Sequence, residues 1–430
     1  MRELMTNHQP WLIAILLFCF LPEGLTIKIL GRAPTISFFD VAFVLALLFL
    51  VWKFIFGSFL FARDSTLGRL VIAYVLANFV SLLTNLRDPL RSLVAMKVII
   101  FGYLAYVVAR SLIKTREDLR FITYSWVFFG AAIAALLVYT YSITWSSALQ
   151  VENAFVVKSE VEISMGRSNY LAAILLPILP VAMALVFASR GRMAWLWLGI
   201  STLMTMGLLI TMSRGAILSL VFGLVSMLPF IQFRRMRLNW RYALLGAGLI
   251  ASLVFLIPEE LFVTIYKNME VLYRNSDWTR LSLWATAWNQ FLRNPWLGVG
   301  PNCLYIYNAQ YAVEGSDSHN YVLNTLAEVG IVGAIPFFVI LATAVKRVYH
   351  FVSSARLQPS EHVIAIGFFC GLIATLVHGL VEPTFTGQQY IVTFWVLVAI
   401  VSAHNAIPAG LRSRDVASEQ SKRVFAPAET

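Results

Sequence analysis

Apolar runs of about 20 residues, the length an α-helix needs to cross a bilayer core, recur along this chain and leave it few ways to fold. LGRLVIAYVLANFVSLLT from Leu67 and TFWVLVAIVSAHNA from Thr393 are two of them. In lipid, every backbone amide has to find its partner within its own segment, so such runs become helices. Candidate spans fall at residues 10–27, 38–57, 67–85, 92–111, 119–143, 169–189, 194–212, 214–232, 241–258, 320–346, 360–383 and 387–407. Hydrophobic residues make up 59% of the chain and charged residues 13%, a balance that the surface of a water-soluble domain does not carry. The expected fold class is an all-α polytopic membrane protein of about twelve helices, with residues 1–430 forming a single transmembrane domain.

Basic residues set the orientation. The net charge of +11 does not point to nucleic acid, because the lysines and arginines gather in short clusters between apolar runs. Arg110, Lys114, Arg116 and Arg120 form one cluster, and Arg234, Arg235, Arg237 and Arg241 another. Placing these clusters in the cytoplasm puts both termini there too, including the polar tail 408–430. The apolar run from Trp11 resembles a signal-peptide core behind Arg2, but it lacks a small-residue cleavage site and is read as a span. Cys19, Cys303 and Cys370 are too scattered to imply a disulfide framework.

With that orientation, residues 144–168 and 259–319 are outside segments. The second is too long for a connector and too rich in tryptophan for a disordered one. Within it, SDWTRLSLWATAWNQFL reads as a helix capped by Ser276 or Asp277. Its apolar face is expected to be Leu281, Trp284, Trp288 and Phe291, lying on the outer leaflet or over the bundle as a lid. NPWLGVGPN then breaks the helix and turns the chain.

SDSHNYVLNTLAEVGIVG, from Ser316 to Gly333, follows that loop and opens a span. Asp317 or Ser318 is the expected cap, which places His319 in the first helical turn at the outer surface. The exposed amides of a helix start disfavour an imidazolium, so the ring is expected to be neutral near pH 7 and able to accept a proton. A lone histidine at a helix end is usually an interfacial polar residue, and its neighbours decide otherwise here. Arg214, in TMSRGAILSL, sits between two spans and outside any basic cluster, where an unpaired arginine costs several kcal/mol. Arg280 lies one turn into the loop helix, and Arg167 precedes the span that starts near Asn169. Guanidinium forks suit a diphosphate, although a snorkelling arginine is the plainer reading for Arg167. Glu328 is nine residues beyond His319, about two and a half helical turns, so it cannot orient the imidazole from within one straight helix. A structural role fits it, with Gly330 and Gly333 permitting close helix approach. His378 and Glu382, at the outer end of their span, join Arg167, Asn169 and Asn320 as candidate substrate-binding residues. No P-loop, dinucleotide fingerprint, H-E-x-x-H or outside acidic cluster is present, so neither a cofactor nor a metal is expected.

HNYVLNTLAEVGIVG resembles the signature of the O-antigen ligase and polymerase superfamily, and SRGA, the Asn of GRSNYLA and RLSLWATAW…NPWLGVGPN match further stations in the same order. The resemblance covers about residues 160–340, and the first five spans match it only in hydropathy. It implies a GT-C-like glycosyltransferase architecture in the bacterial inner membrane, with its active site on the periplasmic side. It also implies metal-independent, inverting transfer of a glycan from undecaprenyl diphosphate to a hydroxyl of lipid A-core. On that resemblance His319 is the general base, and Arg214 and Arg280 hold the diphosphate. A polymerase joining lipid-linked repeat units is the alternative within the superfamily, and a transporter or flippase the alternative from another class.

Overall fold

The computed structural model describes residues 64–148, 168–211, 213–230, 279–309, 317–354, 357–382 and 384–406, with short pieces between residues 26 and 56. Its helices are α1 (Ser65–Thr84), α2 (Pro89–Leu112), α3 (Arg116–Ala148), α4 (Ser168–Leu175), α5 (Leu179–Ala188), α6 (Arg192–Ile210) and α7 (Arg214–Val225). They continue with α8 (279–293), α9 (Tyr305–Asn308), α10 (Tyr321–Val352), α11 (Pro359–His378) and α12 (Gln388–Ala406). A short antiparallel pair, Thr26–Lys28 with Thr35–Ser37, is the exception among the described residues, and it falls at the end of the window expected to be the first span.

Seven helical segments among the described residues are long and apolar enough to cross a bilayer, and Arg214–Phe230 and Tyr390–Asn405 are shorter apolar helices. The protein is thus an α-helical polytopic membrane protein. The expected spans at 10–27 and 38–57 lie mostly, and that at 241–258 wholly, outside the described residues, as does the tail 408–430. Asn169–Ala188, expected as one helix, is a broken span: a turn at residues 176–178 separates α4 from α5. Pro177 and Pro180 explain the break, since neither has an amide to donate to the helical ladder.

Pairing follows small residues. α11 packs on α5 and α7, α12 on α2, α3 on α6, and α10 on α1. At the α5–α11 seam Gly367 approaches Ala184 and Pro180, and Gly371 faces the Pro177 carbonyl. Such contacts let backbones approach closely where lipid supplies no hydrophobic drive for association. A stripe of large apolar side chains, Ile72, Leu76, Phe79 and Leu83, points outward along α1, while Trp126, Trp197 and Phe368 are buried in the core of the bundle.

The two ends of the bundle differ. At one end, Arg347 of α10 donates to Asp64 Oδ2 at 2.6 Å, Tyr106 at 2.9 Å and Ser402 at 2.9 Å, tying together four helices. An arginine at that depth is tolerated because it is paired. The other end gathers the starts of α2, α4, α10 and α12, the ends of α1 and α11, and the loop helix α8.

Helix α8 is present where the sequence places it, but with a different face inward. Leu283, Thr286, Ala287 and Gln290 are buried, whereas Leu281 and Trp288 are exposed. Ala287 meets Ala327 of α10 and Leu304 in a small core. The inward face of the loop helix thus centres on Leu283 and Ala287, one position round from the expected stripe, and leaves Leu281 and Trp288 outward. The caps proposed at Ser276 and Asp277 lie outside the described residues.

Candidate active site

The turn before α10 is wired by its own polar side chains. Asn320 is the N-cap: its Oδ1 accepts from the amides of Val322 at 2.9 Å and Leu323 at 3.1 Å. His319 therefore precedes the cap instead of standing in the first helical turn, and its φ of 49° lies in the left-handed region. Asp317 Oδ1 accepts from the His319 amide at 3.0 Å, and Ser318 Oγ donates to the Asn320 carbonyl at 2.9 Å. A non-glycine residue held left-handed by its neighbours is a common mark of functional turns.

What faces this turn comes from α11. Gly379, the C-cap of α11, accepts from the Tyr321 amide at 2.9 Å and lies against the Tyr321 ring, where a Cβ would sit 2.5 Å from the ring. The contact fixes the 379–382 turn beside His319 and delivers Glu382. Glu382 Oε2 lies 3.2 Å from His319 Nδ1, while Oε1 accepts from Arg280 Nη2 at 2.6 Å and from Asn169 Nδ2 at 2.5 Å. One buried carboxylate thus joins α4, α8, the α10 turn and the end of α11. Arg280 reaches it because residues 280, 283 and 287 share the inward face of α8.

This carboxylate reverses the electrostatic expectation for the histidine. Burial alone pulls the His319 pKa down, but the hydrogen bond and charge of Glu382, with the charge of Asp317, raise it above its ordinary 6.5. Burial pushes Glu382 up, but His319, Arg280 and His378 together bring it below the usual carboxylate value. Burial also holds Asp317 above its usual value. A full negative charge 3.2 Å away outweighs the fractional dipole of a helix end. With Nδ1 held by a carboxylate, the neutral ring carries its proton there and keeps a lone pair on Nε2.

The remaining candidates are placed as follows. His378 is fully buried behind Glu382, its ring packed against Gly215, where a Cβ would sit 3.5 Å from Nδ1. Asn320 is occupied as a cap, at least through its oxygen. Arg214 is the exposed first residue of α7, capped by Ser213, and its neighbour Gly215 is so close to the 378–382 turn that a Cβ would sit 2.7 Å from Val381 Cγ2. Arg214 therefore opens onto the same end of the bundle as the Glu382 hub. Arg167 lies outside the described residues.

Glu328 has no part in this hub. α10 is broken at Gly330, whose φ is 60°, and the freed backbone pairs with the turn after α8. Val299 and Gly300 donate to the carbonyls of Ala327 and Glu328 at 2.9 and 3.0 Å, while Ile331 and Val332 donate to Pro295 and Trp296 at 2.8 and 3.2 Å. Gly298 and Gly330 are needed because a Cβ on either would overlap the opposing backbone, at Glu328 and Trp296 respectively. Ser81 and Asn85 of the α1 end donate to Leu297 and Gly298 at 2.6 and 3.1 Å, completing the clamp. The Gly residues of the two motifs thus lock α8, and with it Arg280, onto α10. Gly298→Ala and Gly330→Ala should each cost on the order of 3 kcal/mol through positive φ and displaced backbone. Thermal unfolding in detergent should show midpoints well below wild type, and an unchanged midpoint in both would refute the clamp.

The sequence reading named His319, Arg280, Asn169 and Glu382 without joining them. The missed signal was Glu382 itself: a carboxylate at membrane depth requires a partner, and the candidates on that side were an imidazole and arginines.

Residues 199–338 match the family model described as O-antigen ligase, a stretch that includes Arg214, Arg280, His319 and the two clamp glycines Gly298 and Gly330 but stops before Glu382. None of the curated proteins matches the chain. Among solved structures, a chain from one titled "Structural coordination of polymerization and crosslinking by a peptidoglycan synthase complex" is 20% identical, with a TM-score of 0.42 over 80% of this chain and 98% of that one.

Proposed function

We propose, from the premise that this polytopic membrane protein carries an O-antigen ligase domain at residues 199–338, that it transfers a glycan from undecaprenyl diphosphate to a hydroxyl of lipid A-core. The observation that carries the reading is the shared carboxylate of Glu382, which holds an imidazole and a guanidinium on one half-buried face. An imidazole steered by a carboxylate suits removal of a proton from a hydroxyl, and an adjacent guanidinium suits a departing diphosphate. Nucleic acid has no part in this reading.

In the proposed reaction the acceptor oxygen attacks the anomeric carbon of the donor from the face opposite the diphosphate. The new carbon–oxygen bond forms as the bond to the phosphate oxygen breaks, with inversion. The electron pair leaves with undecaprenyl diphosphate, and the hydroxyl proton passes to Nε2 of His319. Arg280 and Arg214 offset the charge of the leaving group without a metal ion, and Asn169 and Glu382 hold Arg280 and His319 in register. On the orientation argued from the basic clusters, the site opens to the periplasm of a bacterial inner membrane.

The deciding experiment incubates purified protein with lipid-linked glycan in the presence of a chelator, offering either lipid A-core or a second lipid-linked unit. Polymer should appear on lipid A-core, and chelator should not slow it. Product confined to the second lipid-linked unit would make the protein a polymerase, and movement of lipid-linked glycan across vesicles without new bonds would make it a transporter.

A further inference from the structure

A polar ladder runs down α10 from the turn that carries His319. Asn324 and Glu328 are both buried and four residues apart, so one side chain stands above the other on the same helical face. Asn324 Oδ1 accepts from the Ser318 amide at 3.2 Å, and the Ser318 hydroxyl lies 3.3 Å from the same oxygen. That hydroxyl has one proton and a nearer acceptor, the Asn320 carbonyl at 2.9 Å, which leaves the Ser318 amide as the main partner of Asn324. The NH2 of Asn324 donates to the Glu328 carboxylate, which also accepts from the backbone amides of Asn302 and, at 3.4 Å, Leu304.

Three features tie this ladder to the base. Ser318 directly precedes His319, whose left-handed φ of 49° persists only where the surrounding bonds over-determine it. A cavity of about 90 Å³ borders Asn302, Tyr321, Asn324 and Glu328, so on that side hydrogen bonds and not packing hold the turn. The lower rung ends on Leu304, in the chain that leaves the Gly298 clamp, and that clamp fixes α8 with Arg280. The direction of the bonds is also set. A backbone amide can only donate, so Asn324 turns its oxygen to Ser318 and its NH2 to Glu328, which has to present a lone pair.

We propose that Asn324, oriented by Glu328, is a positioning residue that holds the His319 turn in register with the α8 clamp. The proposal rests on the glycosyl-transfer reading above and adds a second support to it. Glu382 steers the imidazole through Nδ1, whereas Asn324 fixes the backbone from which the ring projects. The base and Arg280 are thereby joined twice, once through the shared carboxylate and once through the ladder and clamp.

The test compares wild type, Asn324→Ala, Glu328→Gln and the double variant Glu328→Gln with Asn324→Asp. The partners of the Glu328 carboxylate are donors, so Glu328→Gln alone sets an NH2 against one of them. The double variant reverses the bond between the two side chains and keeps one carboxylate in the ladder. Each single variant should lower kcat about tenfold with donor KM kept, since Arg214 and Arg280 are untouched, and the double variant should recover most of the loss. In a His319→Asn background either single variant should cost nothing further, because the ladder acts through that ring. The two cut the ladder at different rungs, so either one suffices if the other does not fold. Losses that persist in the His319→Asn background, or a double variant no better than Glu328→Gln, would make the ladder a structural part of α10 only and end the proposal. Hydrogen exchange of peptides spanning Asp317 to Asn324 needs no substrate and separates the two levels. It should quicken about tenfold in the single variants and return toward wild type in the double. Unchanged exchange defeats the positioning role whatever wild type transfers, while quickened exchange in a protein that transfers no glycan defeats the functional reading alone.

Discussion

His319→Ala is expected to lower glycan transfer by about 10²–10⁴-fold, the range supplied by a positioned general base, while the protein stays folded in the membrane. The side chain is partly exposed and its removal leaves Glu382 still bonded to Arg280 and Asn169, so little cohesion is lost. The backbone complicates alanine, because φ at this position is 49°, a conformation that alanine adopts at a cost of about 1–2 kcal/mol. His319→Asn is the companion variant, since asparagine tolerates that conformation and can still donate to Glu382 but cannot take up a proton. Both variants should show the same loss of transfer, His319→Asn at the wild-type thermal midpoint and His319→Ala a little below it. Transfer by either at half the wild-type rate would remove the base assignment.

Glu382 should be the second sensitive position, with a different signature. Glu382→Ala removes the partner of Arg280, His319 and Asn169 at once, and truncating one member of a buried, hydrogen-bonded charge pair costs on the order of 2 kcal/mol or more. Activity should fall with stability. Glu382→Gln keeps the shape and changes the charge, so its effect belongs in the pH profile. A base works only when unprotonated, so activity declines as pH falls through the His319 pKa. In wild type Glu382 raises that pKa above its ordinary 6.5, so the acid limb should lie above that value. Without the negative charge, burial and Arg280 pull the pKa down against Asp317 alone, and the limb should move to lower pH as the maximal rate drops. An acid limb that stays in place or moves upward in Glu382→Gln would show that the titrating group is not His319.

Most of the architecture was legible because lipid reduces the problem. A backbone with no water to bond must be helical, so the apolar windows from residue 67 to 111 and from 320 to 407 became helices, although α10 runs past its expected end to Val352 and α11 stops short of its own at His378. The Asn169–Ala188 window was legible as a span, though its break was not drawn from Pro177. Faces were harder to read. The rule that large apolar residues point inward was carried from soluble proteins to α8 and failed there, because in this bundle Ala287 supplies the contact and Trp288 faces outward.

The candidate residues themselves were also legible, since ionisable side chains in a span are costly and therefore few. Their relations were not. His319 and Glu382 are 63 residues apart, and Arg280 and Glu382 are 102 apart, so no spacing rule connects them. The direction of the His319 shift shows the consequence. In the local sequence Asp317 reads as a cap, and the helix start beside the ring argues for a neutral imidazole. Once Gly379 docks on Tyr321, a whole carboxylate arrives at Nδ1 and outweighs it. Sequence alone determined that this chain is a helical membrane protein and which residues are too polar to be idle. The tertiary structure decided which of those residues meet, because the docking of α11, the clamp at Gly298 and Gly330, and the inward face of α8 depend on contacts between segments far apart in the chain.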